Sequence, residues 1–457
     1  MDPSKPTLAI IGTGWAGWTL TQELGKASCS YNKTHNIIVL SPHRTMALTP
    51  LLASAACSIF DLRIAEEPVR RLGLAPTVQK YQVEVKSVDL EAKTIRCIPA
   101  IGSNGDARTP SFNGIDAHAF DVSYDTLVLA PGSETNTFGT PGVLEHCYTM
   151  KSVKDAQKLR ERMLDCFELA SLPTCSGKQK RNLLHFAIVG GGPTGVELAA
   201  EIDELIHGHL SRLYHDLADF VTISVYDIAD RLLGPFDEQL SEYAMQKFNR
   251  RSVNTRMGRH IESFEKGVMK IKEDGEVPFG ICIWATGNKS SGLVENLGVR
   301  KSEGGMSRIL TDQHLRVLQI PNKQQKENNE RTSPIPDLYA LGDAADILGS
   351  ELPTTAEVAV QKAKWLAKHL LATSKTSEFA NSVVKQSDGF HYDQKPQVAY
   401  IGRHDGVVEG QRSWTGKSAW LAWRSGNLNW TRSWRRRTMI WVYWGLNYLD
   451  GREVARR

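Results

Sequence analysis

An α/β fold built on two copies of one strand–turn–helix unit is what the sequence predicts, and three observations predict it. The stretch Phe186-Ala-Ile-Val-Gly-Gly-Gly-Pro-Thr-Gly-Val-Glu197 runs an apolar strand into Gly190, Gly192 and Gly195 and then into the helical Val196-Glu-Leu-Ala-Ala-Glu-Ile. A weaker copy stands near the N-terminus, where Leu8-Ala-Ile-Ile-Gly-Thr-Gly-Trp-Ala-Gly17 places a strand before Gly12, Gly14 and Gly17 and a helix after them. Two further apolar runs, Tyr124-Asp-Thr-Leu-Val-Leu-Ala-Pro-Gly132 and Phe279-Gly-Ile-Cys-Ile-Trp-Ala-Thr-Gly287, each end on a glycine. In such a turn the first glycine permits the tight bend, the second lets the backbone approach a pyrophosphate, and the third lets helix and strand pack closely. The helix N-terminus then faces the anion. Two such turns imply two Rossmann-like dinucleotide-binding domains, and a flavin with a nicotinamide is the commonest pairing.

Length and composition agree. At 457 residues the chain exceeds one ordinary core, and its 41% hydrophobic and 23% charged residues are those of a globular protein. The seven cysteines show no CxxC or CxxxxC spacing, and the thirteen histidines show no HExxH. That argues against a zinc site, a disulfide scaffold and a dithiol-relay flavoenzyme, and no metal site is expected. Met1-Asp-Pro-Ser-Lys-Pro leads straight into the first strand, so no cleavable presequence is expected. No run approaches the ~18 apolar residues of a membrane span.

Taken in order, residues 7–17 are the first strand and turn, a helix follows to about Lys26, and Asn36-Ile-Ile-Val-Leu40 is the second strand. Ser41-Pro42 stands where an acidic residue usually holds the adenosine ribose. A helix-like stretch is expected to end near Arg71, antiparallel strands occupy 81–97, and Gly102 to His118 is a surface loop. A long helix over 152–170 leads to the second nucleotide domain. There Asp227 ends the strand Val221-Thr-Ile-Ser-Val-Tyr and is placed to bind ribose hydroxyls and repel a 2′-phosphate, favouring NADH; a plain strand-ending aspartate is the alternative. Pro321 to Pro334 is a solvated loop without function. Then come the strand ending in Gly342-Asp343, with Asp343 placed for a ribityl or ribose hydroxyl, and a helix over 354–371.

With these residues in view, the chain resembles the two-dinucleotide flavoproteins and, among them, the type II or alternative NADH:quinone oxidoreductases of fungal and plant mitochondria and of bacteria. The resemblance rests on the turn at 12–17, Ser41-Pro42, Thr49-Pro-Leu-Leu52, Glu67-Pro68, Gly190–Glu197, Trp284-Ala-Thr-Gly287, Gly342-Asp343 and the C-terminal tail. It implies a glutathione-reductase-like pair of domains: FAD on 1–150 and 308–371, NAD(H) on 151–307, and a membrane-facing, dimerising segment over 372–457. FAD would be held by Gly12, Gly14, Gly17, Ser41, Thr49, Pro50, Ala130, Gly132, Gly342 and Asp343. NADH would be held by Gly190, Gly192, Thr194, Gly195, Glu197, Asp227, Thr286 and Gly287. A hydride passes to the flavin and two electrons to a quinone from the opposite side, with Glu197 as the carboxylate near the nicotinamide. The resemblance also implies a peripheral enzyme of the mitochondrial inner membrane or a cytosolic membrane surface, often a homodimer.

Two departures bear on the acceptor. His43-Arg-Thr-Met-Ala-Leu48 replaces an aromatic-rich segment, and the helix after Asp343 reads Ala356-Glu-Val-Ala-Val-Gln361, where relatives carry glutamine at both polar positions. Gln361 fits; Glu357 adds charge beside the flavin or supplies a proton to the acceptor. Two rivals therefore stay open: a specialised flavin oxidoreductase for a hydrophobic metabolite, and a redox signalling flavoprotein of the apoptosis-inducing type.

The tail holds seven of the eleven tryptophans and eleven Lys/Arg against four Asp/Glu after residue 400. At about 100° per residue, Trp430, Trp434, Trp441, Trp444 and Tyr448 share one helical line, with Arg432, Arg435 and Arg436 opposite. Arg437 falls on the aromatic side, and Met439 and Leu446 on the far side. The pattern is that of an interfacial helix on anionic lipid, and packing on the protein body or on a second subunit is the alternative. No nucleic-acid platform accompanies it.

Overall fold

The computed structural model describes residues 2–70, 73–101, 118–251, 253–321, 333–374 and 389–454, with the short strands Ser111–Phe112 and Ile115–Asp116. The chain forms two compact units. One comprises Met1–Met46, Pro68–Glu134 and Asn288–Gln394; the other comprises Ala47–Glu67, Thr135–Gly287 and Lys395–Arg457. These divisions fall at 46/47, 67/68, 134/135, 287/288 and 394/395, and they put the segment 47–67 and residues 395–457 into the unit that carries Gly190–Glu197.

The first unit is organised by one ten-stranded sheet. At its centre Thr7–Ile11 lies parallel between Asn36–Ser41 and Thr126–Leu129, and Thr126–Leu129 is parallel to Pro334–Ala340. Helices Trp15–Gly25 and Ala356–Ser374 bury Leu20, Leu24, Ala363 and Leu366 against Leu8, Ile10 and Val128; Ala9, Ile11, Leu127 and Ala340 join a second core. Strands covered on both faces read as unbroken apolar runs, which is why these segments show no alternation. The expected antiparallel strands are Val78–Asp89, Thr94–Pro99 and Phe120–Ser123.

In the second unit four parallel strands stand in the order Val253–Arg256, Thr222–Tyr226, His185–Val189, Ile281–Trp284. The helix Val153–Ser171 starts on a capping box in which Ser152 and Asp155 satisfy each other's backbone amides. After the helix Pro193–Leu205 the chain makes a π turn at Ile206–Leu210 and a 3-10 turn at His215–Phe220, which accounts for the long spacing before Asp227. The tail sheet Gln397–Gly402, Asp405–Glu409 and Trp414–Thr415 packs its first strand on the helix Pro193–Leu205. Arg251 fastens that sheet by donating to the carbonyls of Ile401 and Gly402, and Lys247 meets Asp405 at 2.7 Å.

Two expected helices are corrected. The stretch toward Arg71 is helical only at Leu52–Ala56, because Ser58 takes a left-handed φ of 58° that an α-helix cannot continue, and only a short 3-10 turn at Leu62–Ala65 follows. The tail is two helices, Lys417–Trp430 and Trp434–Asp450, separated by extended backbone at Thr431 and Ser433. The single aromatic line over 430–448 is therefore broken: Trp430 belongs to the earlier helix. Trp444 lies partly covered under the Arg424 guanidinium, 3.9 Å from its ring centre. Arg436 turns inward to within 3.8 Å of the buried Glu67 carboxylate. Of the loops read from the sequence, 102–110, 113–114, 117 and 322–332 lie outside the described residues.

Candidate functional site

Both glycine turns sit at the C-terminal edges of parallel strands, where an open α/β sheet receives its ligands. In the first unit Gly12 N donates to Leu40 O at 2.8 Å and Ala130 N donates to Ile11 O at 2.9 Å. Gly12, Ala130, Gly132 and Gly342-Asp343 thus follow the ends of three neighbouring strands, and Ser41 is the last residue of a fourth. A methyl on Gly12 would stand 2.0 Å from Ala130 O, and one on Gly17 2.1 Å from Gly12 O, so both must be glycine. Gly14 differs. Nothing lies within 4 Å of where its Cβ would stand, and as the N-cap of the helix Trp15–Gly25 it has no capping side chain. An open turn with uncapped helix amides is the cradle a pyrophosphate fits. Asp343 accepts from Ser133 Oγ at 3.0 Å, and its carbonyl takes Arg308 Nε at 3.1 Å. The Ser41 hydroxyl is buried, 2.8 Å from Thr13 Oγ1 and accepting from His43 N at 3.2 Å. Thr49 and Pro50 lie on the 3-10 turn Thr49–Leu51, in the second unit.

The second turn repeats the design. A Cβ on Gly195 would meet Gly190 O at 1.9 Å, whereas Gly192 again faces open space and caps the helix Pro193–Leu205 with no side-chain bond. Thr194 is exposed beside it. Asp227 ends its strand as expected, and its carboxylate also holds the turn: one oxygen accepts from Gly191 N and the other from Ala229 N at 2.9 Å. Across the strand ends, Thr286 and Gly287 follow Trp284, whose indole donates to Asn136 O at 2.9 Å. The Phe138 ring lies where a Cβ on Gly287 would stand, at 2.6 Å.

Glu197 lies in the first turns of the helix Pro193–Leu205, partly buried, and accepts from Trp423 Nε1 at 3.0 Å. Burial pushes its carboxyl up to about 8, with Glu201 beside it adding to the rise and the Trp423 bond opposing it. A carboxyl that keeps its proton near neutral pH can donate one. Trp423 stacks on Tyr400 at 4.4 Å. No local pattern marked Trp423, because its contact with Glu197 spans 226 positions. Glu201 was legible in principle, one helical turn beyond Glu197 on the same face.

Glu357 and Gln361 meet on the helix Ala356–Ser374, where Gln361 Nε2 donates to Glu357 Oε1 at 2.6 Å and to Asp393 O at 2.9 Å. Asp393 N returns a bond to Gln361 Oε1 at 3.0 Å, so this glutamine clamps the backbone of the segment that follows. Among the described residues no group of three metal-ligating side chains occurs, and no helix is long and apolar enough to cross a membrane.

The sequence pattern of the pyridine nucleotide-disulphide oxidoreductases matches residues 6–363, spanning both turns. The chain belongs to that family. Within the pyridine nucleotide-disulphide oxidoreductases it falls among the alternative NAD(P)H-ubiquinone oxidoreductases, and it is an oxidoreductase. It is 30% identical to the internal enzyme A1 of Solanum tuberosum mitochondria over 99% of this chain and 88% of that one. It is 34% identical to the external enzyme B1 of the same plant over 76% of this chain, an overlap that spans 56% of that relative's length. Its fold is similar to that of NDH2 from Plasmodium falciparum solved with NADH, with a TM-score of 0.83, 22% identity, and coverage of 99% of this chain and 100% of that one.

Proposed function

We propose that this chain is an FAD-dependent NADH:quinone oxidoreductase that works from a membrane surface. The observation that carries this reading is the duplication of the open glycine cradle, one in each compact unit, each with its middle glycine facing free space at a helix N-terminus. A bound FAD supplies the two-electron link between nicotinamide and acceptor. The first unit would hold it through Gly12, Gly14, Gly17, Ser41, Ala130, Gly132, Gly342 and Asp343. Gly190, Gly192, Thr194, Gly195, Thr286 and Gly287 seat NADH, and Asp227 takes the ribose hydroxyls and repels a 2′-phosphate. Glu197 holds a proton at its carboxyl for the reducing step. On these assignments the NAD(H) domain lies within the second unit and most of the FAD domain within the first.

The helix Trp434–Asp450 supports the membrane part. Trp434 is 80% exposed and Tyr448 89%, and Trp441, Val442, Leu446 and Leu449 are also exposed. At about 100° per residue these six span an arc of about 160°. An apolar arc of that width, with the exposed Arg437 at one border and the exposed Arg435 near the other edge within it, suits the headgroup boundary of an anionic membrane. The relatives named above are mitochondrial by name, and this reading places the chain on a mitochondrial membrane; a homodimer through the tail is compatible with it.

The test is steady-state NADH oxidation by FAD-loaded protein in liposomes with a short-chain ubiquinone. Turnover of about 10 s⁻¹ or more, an ordinary enzyme rate, is expected. Rapid bleaching of the flavin by NADH without reoxidation by quinone would leave the donor half standing and overturn the acceptor half. Glu357, which accepts from Gln361 and stands where the family resemblance implies a glutamine, favours a second reading for that outcome: a specialised hydrophobic acceptor.

A further inference from the structure

The helix Pro193–Leu205 carries a second carboxyl that the reading above leaves without a task. Glu201 is 0% exposed. Its Oε1 accepts from Ser54 Oγ at 2.8 Å, and its Oε2 has no hydrogen-bond partner. A buried carboxyl oxygen in that state calls for a water, a ligand or its own proton. The same side chain lines a cavity of about 920 Å³ whose walls also carry Glu204, His207, Arg403, Arg424 and Arg452. A space so large and so charged is filled by water, since dry cavities are apolar.

The reaction needs such a place. NADH gives up a hydride, which is two electrons and one proton, and a quinone becomes a quinol by taking two electrons and two protons. One proton per turnover must therefore come from solvent. We propose that Glu201 is the relay that carries this proton from the water-filled cavity to Glu197. The inference rests on the quinone-reducing reading above. A solvent proton carried as hydronium in the cavity passes to Glu201 Oε2, an O–H bond of the hydronium breaking to leave water as the O–H bond of Glu201 forms. The O–H bond of Glu201 then breaks as that of Glu197 forms, after Glu197 has given its own proton toward the acceptor. Side chains four positions apart on a helix have Cβ atoms about 5–6 Å apart, within the span of one bridging water.

The surroundings suit one relay and not two. Glu204 accepts from the Tyr400 hydroxyl and from Arg403 N at 2.6 Å, and it pairs with Arg452 at 3.2 Å, so its oxygens are engaged. The charged and titratable groups that act on Glu201 are Glu197 and Glu204 from its own helix, Arg424 from Lys417–Trp430, Arg452 beyond the last helix, Tyr400 and Cys57. Burial raises the Glu201 carboxyl above the usual range, while Arg452, the Ser54 bond and Arg424 hold it down.

The test uses full-length, FAD-loaded protein and Glu201→Gln. Ubiquinone reduction should fall about tenfold or more and lose its decline at alkaline pH, while reduction of ferricyanide, which takes electrons and no proton, should be kept. Unchanged ubiquinone turnover with an unchanged pH profile overturns the proposal, as does an equal fall with both acceptors. Should Glu201→Gln fail to bind FAD, Ser54→Ala decides. Losing that hydroxyl should move the alkaline fall of ubiquinone turnover to higher pH, and a profile that stays in place overturns the relay. Glu197→Gln separates the two levels. If it leaves ubiquinone turnover intact, the proton role of Glu197 fails; if it slows turnover while Glu201→Gln does not, the relay alone fails.

Discussion

Gly192→Ala tests the nucleotide site without disturbing the fold. Gly192 has φ −73° and ψ 179°, which alanine adopts freely, and nothing lies within 4 Å of the methyl it would gain. The variant should unfold within about 0.5 kcal/mol of the wild type, as neutral substitutions do. The methyl would instead occupy the space through which the backbone approaches a pyrophosphate. Losing one charge-assisted hydrogen bond there is worth roughly 1.5–3 kcal/mol, hence about a 10- to 100-fold weaker grip on NADH. Gly195→Ala is the contrasting control. Its methyl would stand 1.9 Å from Gly190 O, an overpacking worth about 1–3 kcal/mol, or roughly 2–4 °C of Tm per kcal/mol in a unit of this size. The assay pairs thermal unfolding with an anaerobic stopped-flow titration of flavin reduction against NADH. A Gly192→Ala protein that titrates with NADH like the wild type would refute the assignment of this turn to the dinucleotide.

Three further outcomes follow from the same geometry. Asp227→Ala removes the acceptor of two backbone amides, so it should lower stability by about 1–3 kcal/mol and raise the ratio of NADPH to NADH turnover; a ratio that stays put would refute its role in selectivity. For Glu197, whose carboxyl is raised from 4.5 to about 8, the native state holds a proton that the unfolded chain has already lost between those values. Its contribution to stability is therefore full below 4.5 and fades as pH rises toward 8, so Tm should fall less from pH 5 to pH 8 in Glu197→Gln than in the wild type. Equal slopes would count against the burial of that proton. The double change Trp441→Asp with Leu449→Asp alters exposed positions, so Tm should hold while flotation with anionic vesicles drops about tenfold or more.

Local sequence determined the parts whose physics is local. A glycine that must turn a strand into a helix, or let a helix lie against it, is specified by its immediate neighbours, so both turns and the strands that feed them were legible. The same holds for the apolar runs buried on both faces of a parallel sheet and for the helix beginning at Ser152-Val153. Tertiary structure alone decided what long-range packing sets. Arg251 and Lys247 tie down the tail sheet at Ile401 and Asp405, and Glu204 on the helix Pro193–Leu205 accepts from Tyr400 and Arg403, so residues 395–457 join the second unit, and no composition shift announces that. The helical wheel was misled for the same reason. It assumed one uninterrupted axis and charged residues turned outward, whereas extended backbone at Thr431 and Ser433 resets the axis, and the buried Glu67 draws Arg436 in. The Glu197 environment is the sharpest case. The residue was identifiable from its motif, but its carboxyl is raised by burial, and the groups that tune it are Tyr400 and Trp423, whose bonds oppose the rise, and Glu201, which adds to it. Two of those three lie about two hundred residues away, where only the folded chain can bring them, because desolvation is a property of an enclosure and not of a segment.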